Sequence, residues 1–314
     1  MKILENLQEI NFKGSAVSIG YFDGVHKGHV ALLNRLVSQA KERGLESVVV
    51  TFSIHPREAL NANYVPKLIT LNEERYKLLE NQGVDYCVVL PFDREISGKS
   101  FKQFMDDYLI EKLNTKYLLI GHDHHFGCDR ANGFEQYRQY GEEKGIVVER
   151  EEVFKIKDTI VSSSYVRREI QAGNILGAKD ALGYDYFIEG IVIPGFKVGK
   201  SIGFPTANVA VNDVRKLLPS AGVYAVTVEI EGCAKPLKSM LYIGARPTFV
   251  NMSETKSIEV HIFDFNDDIY QKRIKVNFKQ FMRGGEKFET AAKLASQLNK
   301  DKQVILDWFA KKKI

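Results

Sequence analysis

The spacing of apolar runs changes once along this chain, near residue 183, and that change constrains the fold more than any single motif. Before it, short β-branched runs at 16–19, 47–52, 86–90 and 117–121 alternate with stretches of helical period at 30–37, 72–81 and 101–113. Strands separated by helices need crossover connections, so the first half is expected to form a mostly parallel, doubly wound α/β sheet. After it, apolar runs follow at short intervals without helices, at 187–193, 223–230, 240–243, 258–263 and 274–281, the pattern of a small antiparallel β-barrel. A terminal amphipathic helix, or a pair, is expected over 288–312, with Leu294, Leu298, Ile305, Leu306 and Phe309 inward. A short helix ending in glycine, 173–183, marks the boundary, so two domains are predicted, 1–183 and 184–314.

Composition narrows the class. A chain of 314 residues, 44% hydrophobic and 27% charged, can bury a sizeable core in each domain. A net charge of +4 suits anionic ligands such as nucleotides but is too small and too spread out to argue for nucleic acid. Cys87, Cys128 and Cys233 are isolated and lack metal-site spacing, which suits a reducing compartment. Charges stand at Lys2 and Glu5, where a signal peptide would need an apolar run, and no apolar window reaches the ~18 residues of a membrane span. A cytoplasmic protein is expected.

The richest stretch is Gly20-Tyr21-Phe22-Asp23-Gly24-Val25-His26-Lys27-Gly28-His29, a strand end running through a glycine turn into a helix. In an α/β sheet that junction is where ligands dock, with free helix N–H groups facing a phosphate. Gly24 and Gly28 are expected to let the backbone approach a ligand. His26 and His29 can offer ring N–H groups to phosphate oxygens, and Asp23 can orient a ring or help hold a cation. His55, after the strand 47–52, places a third imidazole at the same sheet edge. His122, Asp123, His124, His125 and Asp129 cluster after the strand 117–121, without the thiolate-plus-histidine spacing of a structural zinc. Ser162, Ser163 and Ser164 precede Arg167 at a helix start, where hydroxyls, N–H groups and a guanidinium make an anion cradle and one serine serves as N-cap.

In the second half, Gly195, Gly199 and Gly203 make a loop whose amides could cradle phosphate, without the Gly-x4-Gly-Lys-Ser/Thr of a Walker loop. On the strand 258–263, Glu259 and His261 share a face, and a glutamate on the inward face of a barrel is costly unless it works.

The stretch from Gly20 to His29 resembles the His-x-Gly-His signature of HIGH-superfamily nucleotidyltransferases. With its Phe-Asp-Gly-Val-His form it resembles the N-terminal module of the bifunctional bacterial riboflavin kinase/FMN adenylyltransferases, the prokaryotic FAD synthetases. Asp123, Phe126 and Gly127 match a second motif of that family. Ser162, Ser163 and Arg167 match a third, Gly203-Phe204-Pro205-Thr206-Ala207-Asn208 the flavokinase signature, and Glu259 with His261 a fifth. The resemblance covers nearly the whole chain. It implies a Rossmann-like N-terminal domain, a C-terminal riboflavin kinase barrel, and ATP-dependent conversion of riboflavin to FMN and of FMN to FAD.

By this resemblance Glu259 is the base for phosphorylation, and His26, His29 and Arg167 serve adenylyl transfer. Nucleotide contacts fall to Gly20, Phe22, Asp23, Gly24, Gly28, His55, Ser162 and Ser163 in the first domain. In the second they fall to Gly195, Lys200, Gly203, Pro205, Thr206, Asn208 and Arg246. Flavin contacts fall to Asp123, His124, Phe126, Gly127 and Arg283, and Mg2+ to Thr206 and Asn208. His124, Tyr242 and Lys200 depart from the family's usual Phe, Asn and Arg. The implied partners are small molecules (riboflavin, FMN, ATP), with neither nucleic acid nor membrane, and a monomer or weak homo-oligomer is expected.

Overall fold

A computed structural model describes the chain except residues 6, 8–10, 123, 130–132, 196–198, 200–201, 246–255 and 314, and the side chains of 245 and 256. Two compact units divide it, Met1–Tyr165 and Val166–Ile314.

In the first unit six strands, β1 (Lys2–Leu4), β2 (Ser15–Ile19), β3 (Glu46–Phe52), β4 (Tyr86–Leu90), β5 (Thr115–Ile120) and β6 (Val147–Arg150), form one sheet. They pair in parallel in the order β1-β4-β3-β2-β5-β6. Crossover helices cover both faces of such a sheet, and Ala16, Val17, Val48, Val49 and Leu118 are accordingly wholly buried. From β2 the chain builds outward through β3 and β4, then returns to place β5 on the other flank of β2. The strand order therefore reverses between β2 and β5, and the crevice beyond their carboxyl ends is the place where such sheets bind ligands.

Helix α1 (Lys27–Arg43) follows β2 directly and buries Leu32, Leu33, Leu36 and Ala40 on the sheet; it stops at Gly44, whose φ of 63° suits a residue without Cβ. Helix α2 (Pro56–Leu60) is one short turn after β3, and α3 (Asn72–Glu80) is the crossover to β4. After α4 (Arg94–Gly98), the segment expected as one helix over 101–113 is α5 (Phe101–Phe104) followed by a wider π-type turn, Met105–Ile110. That wider turn keeps Phe101, Phe104, Met105 and Leu109 together in the core. Helix α6 (Phe134–Glu143), which leads to β6, and the β7 (Lys155–Ile156) and β8 (Thr159–Ile160) hairpin are short and weakly patterned. Helices α7 (Ser163–Gln171) and α8 (Ile175–Leu182) follow, and α8 ends at Gly183 in the left-handed region.

The second unit holds β9 (Phe187–Ile193), β10 (Ala207–Ala210), β11 (Gly222–Ile230), β12 (Leu237–Ala245), β13 (Lys256–Ile262) and β14 (Arg273–Arg283). These close into an antiparallel barrel in the order β10-β13-β12-β11-β14-β9. Strand β10 has too little apolar alternation to be read as a strand from sequence, yet it closes the barrel by bridging β9 and β13. The terminal segment is one helix, α9 (Ala291–Lys312), capped by Thr290, with Ile305 and Phe309 buried in the barrel's cluster.

Candidate active sites

The turn after β2 is tight. Gly20 continues the pairing of β2 through its N–H to the Val50 carbonyl at 3.0 Å. Phe22 (φ 55°), Gly24 (82°) and Val25 (36°) then all enter the left-handed region. Conformations of that kind cost about 1–3 kcal/mol each outside glycine and persist only where the surroundings hold them. Asp23 does the holding. Its buried carboxylate accepts from the Thr70 N–H at 2.9 Å, the Thr70 hydroxyl at 3.2 Å and the Ile69 N–H at 3.1 Å. The Thr70 Oγ1 in turn accepts from the Gly24 N–H at 2.9 Å.

Through these contacts Asp23 braces the turn against the segment before α3. Gly24 and Gly28 are needed by the protein's own packing: a Cβ at Gly24 would fall 2.9 Å from Ile69 Cγ2, and one at Gly28 would fall 3.2 Å from the His26 ring. Gly20 is likewise filled from within, by the Phe22 ring.

His26 caps α1. Its Nδ1 accepts from the His29 N–H at 3.3 Å, so when neutral the ring carries its proton on Nε2. The two imidazoles stack at 3.7 Å with planes 16° apart, and Phe22 meets His29 edge-on at 5.2 Å. Burial holds the His29 pKa well below the ordinary histidine value, and repulsion from His26 and His124 adds to this. His29 Nδ1 is buried without a hydrogen-bond partner. Beside this pair, the Ser163 hydroxyl donates to the Asp23 carbonyl at 2.9 Å, and Ser162 Oγ accepts from the Tyr165 N–H at 3.2 Å as a cap of α7. The two hydroxyls thus serve to anchor the start of that helix, and Arg167 lies on its next turn, partly buried.

His55 caps α2, its Nδ1 accepting from the Arg57 N–H at 3.2 Å, and its ring meets Tyr21 edge-on at 4.8 Å. Beyond β3 and β5 lies a cavity of about 310 Å³ lined by Phe52, Pro56, Phe92, Phe104, His124 and Phe126 among others. Phe126 stacks on Tyr137 at 4.4 Å and is mostly core, presenting only part of its ring to the cavity. Gly127 has φ 91°, and a Cβ there would lie 2.5 Å from the Phe101 backbone N, so the chain itself requires glycine. Asp123 lies outside the described residues.

In the barrel, Glu259 and His261 alternate onto one face of β13, with Asn208 and Tyr242 as the cross-strand neighbours of Glu259. They line a cavity of about 340 Å³ together with Thr206, Tyr242, Arg283, Leu294 and Leu298. The Thr206 hydroxyl donates to Glu259 Oε2 at 3.4 Å. His261 is 2.8 Å from the Pro205 carbonyl, which can only accept, so its proton sits on Nδ1. Burial lowers the pKa of His261, partly opposed by that bond. The sequence pattern paired His261 with Glu259; its service in fastening Pro205 needed the fold.

Thr206 also lines a second cavity, of about 380 Å³, with Val192, Ala207, Asp268 and Tyr270. One hydroxyl thus borders two chambers. Gly195 packs on the Asn208 amide and Gly199 on the Phe204 carbonyl, so side chains there would collide, whereas Gly203 (φ 83°) faces open space. Thr206 and Asn208 offer neutral oxygen donors on β10 and at its start, a donor chemistry that fits a hard cation such as Mg2+. Lys200 and Arg246 lie outside the described residues.

Arg283, expected as a flavin contact, does border the cavity, but its guanidinium is committed to α9. It forms a fork to Asp301 at 2.9 and 2.7 Å, and Gln297 donates to the same carboxylate at 2.9 Å. Asp301 holds the Arg283 pKa above its usual value. Asp301 was not singled out from sequence, where it reads as one more charge on the polar side of a helix.

A family model described as FAD synthetase matches residues 8–165, and one described as riboflavin kinase matches residues 182–309. A bifunctional riboflavin kinase/FMN adenylyltransferase of Bacillus subtilis (strain 168) is 37% identical over 298 residues, covering 94% of this chain and 93% of its own. The protein of that name from Escherichia coli (strain K12) is 33% identical over 306 residues, covering 98% and 96%. A crystal structure of a protein called macrolide-efflux protein, from Streptococcus pneumoniae, has the same fold, with a TM-score of 0.88, 32% identity and 98% of both chains covered.

Proposed function

This chain belongs to the bifunctional riboflavin kinase/FMN adenylyltransferase family, and from that premise we propose how its residues divide the two reactions. It is an enzyme that phosphorylates riboflavin to FMN and adenylylates FMN to FAD, with ATP as co-substrate of both steps. The observation that carries the division of labour is that each fold has its own built site: a histidine turn at the carboxyl edge of the parallel sheet, and Glu259 beside Thr206 in the barrel cavity.

The transferase step is assigned to 1–183 and the kinase step to 184–314. Gly183 ends α8 and the riboflavin kinase match begins at 182, although the compact units divide earlier, at 165/166. In the kinase site Glu259 takes the proton of the ribityl hydroxyl as that oxygen attacks the γ-phosphorus of ATP, and the bond to ADP breaks. Thr206 orients Glu259, and its place between two chambers suits flavin on one side and nucleotide on the other. Mg2+ held near Thr206 and Asn208 would neutralise phosphate charge. Gly195, Gly203 and Pro205 shape the loop around those phosphates, and Lys200 and Arg246 are assigned to the same nucleotide.

In the transferase site an oxygen of the FMN phosphate attacks the α-phosphorus of ATP in line, and pyrophosphate leaves. His26 donates from Nε2, and His29, neutral in the free protein, has a buried nitrogen that a bound ligand can satisfy. Arg167 supplies a fixed positive charge, so the developing charge is met without a covalent intermediate. His55 is assigned to the nucleotide, His124 and Phe126 line the chamber assigned to the flavin, and Asp123 is assigned to the same flavin. The enzyme is proposed to work on these small molecules in the cytoplasm, as a monomer or weak homo-oligomer, without nucleic acid or membrane. Among the described residues no helix is long and apolar enough to cross a membrane.

Incubation with riboflavin, ATP and Mg2+ and chromatographic separation of products tests the whole reading. FMN followed by FAD is expected; formation of neither would overturn it.

A further inference from the structure

Arg75 stands on α3, where its spacing marks it as one more polar residue of a surface helix. The side chain is instead wholly buried. Its Nη2 donates to the carbonyl of Phe52, the last residue of β3, at 2.9 Å. The guanidinium carbon lies 4.1 Å from the centre of the Tyr21 ring, in cation–π geometry. The Tyr76 ring is a second aromatic neighbour, 5.4 Å from the same carbon, while Nε and Nη1 are buried without a hydrogen-bond partner. No carboxylate among the described residues forms an ion pair with this group.

A guanidinium stays charged in a protein, and a buried charge without a counter-ion is among the most expensive arrangements a fold can hold. Its position shows what it could serve. Tyr21 follows Gly20 at the end of β2 and opens the turn that carries His26 and His29, and its ring meets His55 edge-on. Arg75 therefore grips the ends of two adjacent strands, β2 through the Tyr21 ring and β3 through the Phe52 carbonyl, at the carboxyl edge where the nucleotide is assigned.

We propose that Arg75 is a positioning residue for adenylyl transfer: it fixes Tyr21 beneath the histidine turn, and its uncompensated charge favours the nucleotide triphosphate there. The inference rests on the reading of the first half as an adenylyltransferase. Arg75 itself touches no reacting atom. It acts through Tyr21 and through its field, which a low-dielectric surrounding transmits more strongly than water would.

The test uses the full chain with Arg75→Met and Arg75→Lys. FAD formation from FMN and ATP is measured beside FMN formation from riboflavin and ATP, which reports the other site, and beside the melting temperature. Arg75→Met is expected to raise KM for ATP in FAD formation by about five- to tenfold while changing kcat less than about twofold. FMN formation should be unchanged and the melting temperature no lower, since an apolar side chain of similar volume removes a buried charge. Arg75→Lys, which keeps the charge, should return KM to within about twofold of the unsubstituted protein. An unchanged KM in folded Arg75→Met, or equal effects of Met and Lys, would overturn the proposal, as would a loss of both activities in step with the folded fraction. If Arg75→Met does not fold, Arg75→Gln, which can keep the bond to Phe52 without the charge, is read by the same criteria. An unsubstituted chain that makes FMN but no FAD overturns the underlying reading, and the proposal with it.

Discussion

The imidazoles of His26 and His29 stack at 3.7 Å, and the backbone N–H of His29 is bonded to the Nδ1 of His26. One ring thus caps the helix that carries the other. The cap fixes the tautomer of His26, and the stack sets that ring against His29, whose burial disfavours protonation, at the turn where phosphate binding is proposed. A bound anion changes that balance, because negative charge favours the imidazolium form.

The first prediction concerns proton uptake. With its folded pKa depressed, His29 is neutral in the native protein at pH 7, while in the unfolded chain it titrates near the ordinary value. The unfolded state therefore binds more protons below about pH 6.5, and the contribution of His29 to stability is lost progressively as pH falls from there through its lower folded pKa. Histidine-resolved NMR should give a His29 titration below the ordinary range in the free protein. Addition of ATP should move it upward; a midpoint that ATP leaves in place would argue against phosphate contact.

Glu259→Ala should abolish FMN formation from riboflavin and leave FAD formation from supplied FMN. Glu259→Gln should behave in the same way, because it keeps the size and the Thr206 contact but cannot accept the proton. Chromatographic product analysis checks both, and equal loss of the two activities would contradict independent sites.

Asp23→Ala should act on stability before chemistry. It strips acceptors from the buried N–H groups of Ile69 and Thr70, a loss of about 1–3 kcal/mol for each group left unsatisfied. The first unfolding transition in urea should shift to lower concentration, while FMN formation at 25 °C, outside that part of the fold, stays near its original rate. An unshifted transition with lost FAD formation would return Asp23 to a direct role at the ligand.

Asp301→Ala should loosen α9 from β14. Removing one partner of a mostly buried ion pair leaves an unpaired charge and costs about 3 kcal/mol. Since Leu294 and Leu298 of that helix line the cavity, KM for riboflavin should rise. The double substitution Arg283→Met with Asp301→Leu should recover melting temperature, and if it also recovers KM, Arg283 acts on the flavin only through the helix.

The order of elements was legible because it rests on local periodicity: period two on the strands, 3.6 on α1 and α3, and a change of spacing near 183. Glu259 and His261 could be placed on one face for the same reason, and the glycine turn with its two histidines could be placed between the end of β2 and the start of α1. Strand β10 was not legible, since Ala207-Asn208-Val209-Ala210 owes its strand form to pairing with β9 and β13 rather than to its own pattern. Nor could spacing foretell that Asp23 spends its carboxylate on Thr70, that Arg283 is held by Asp301, or that Arg75 is buried. Each of these is a contact between residues 18 to 54 positions apart, and the energy of a charge depends on what the fold brings around it. Sequence by itself thus determined the two folds and their order, because both rest on local periodicity; tertiary structure alone decided which distant partners hold Asp23, Arg283 and Arg75, because those contacts exist only once the chain has folded.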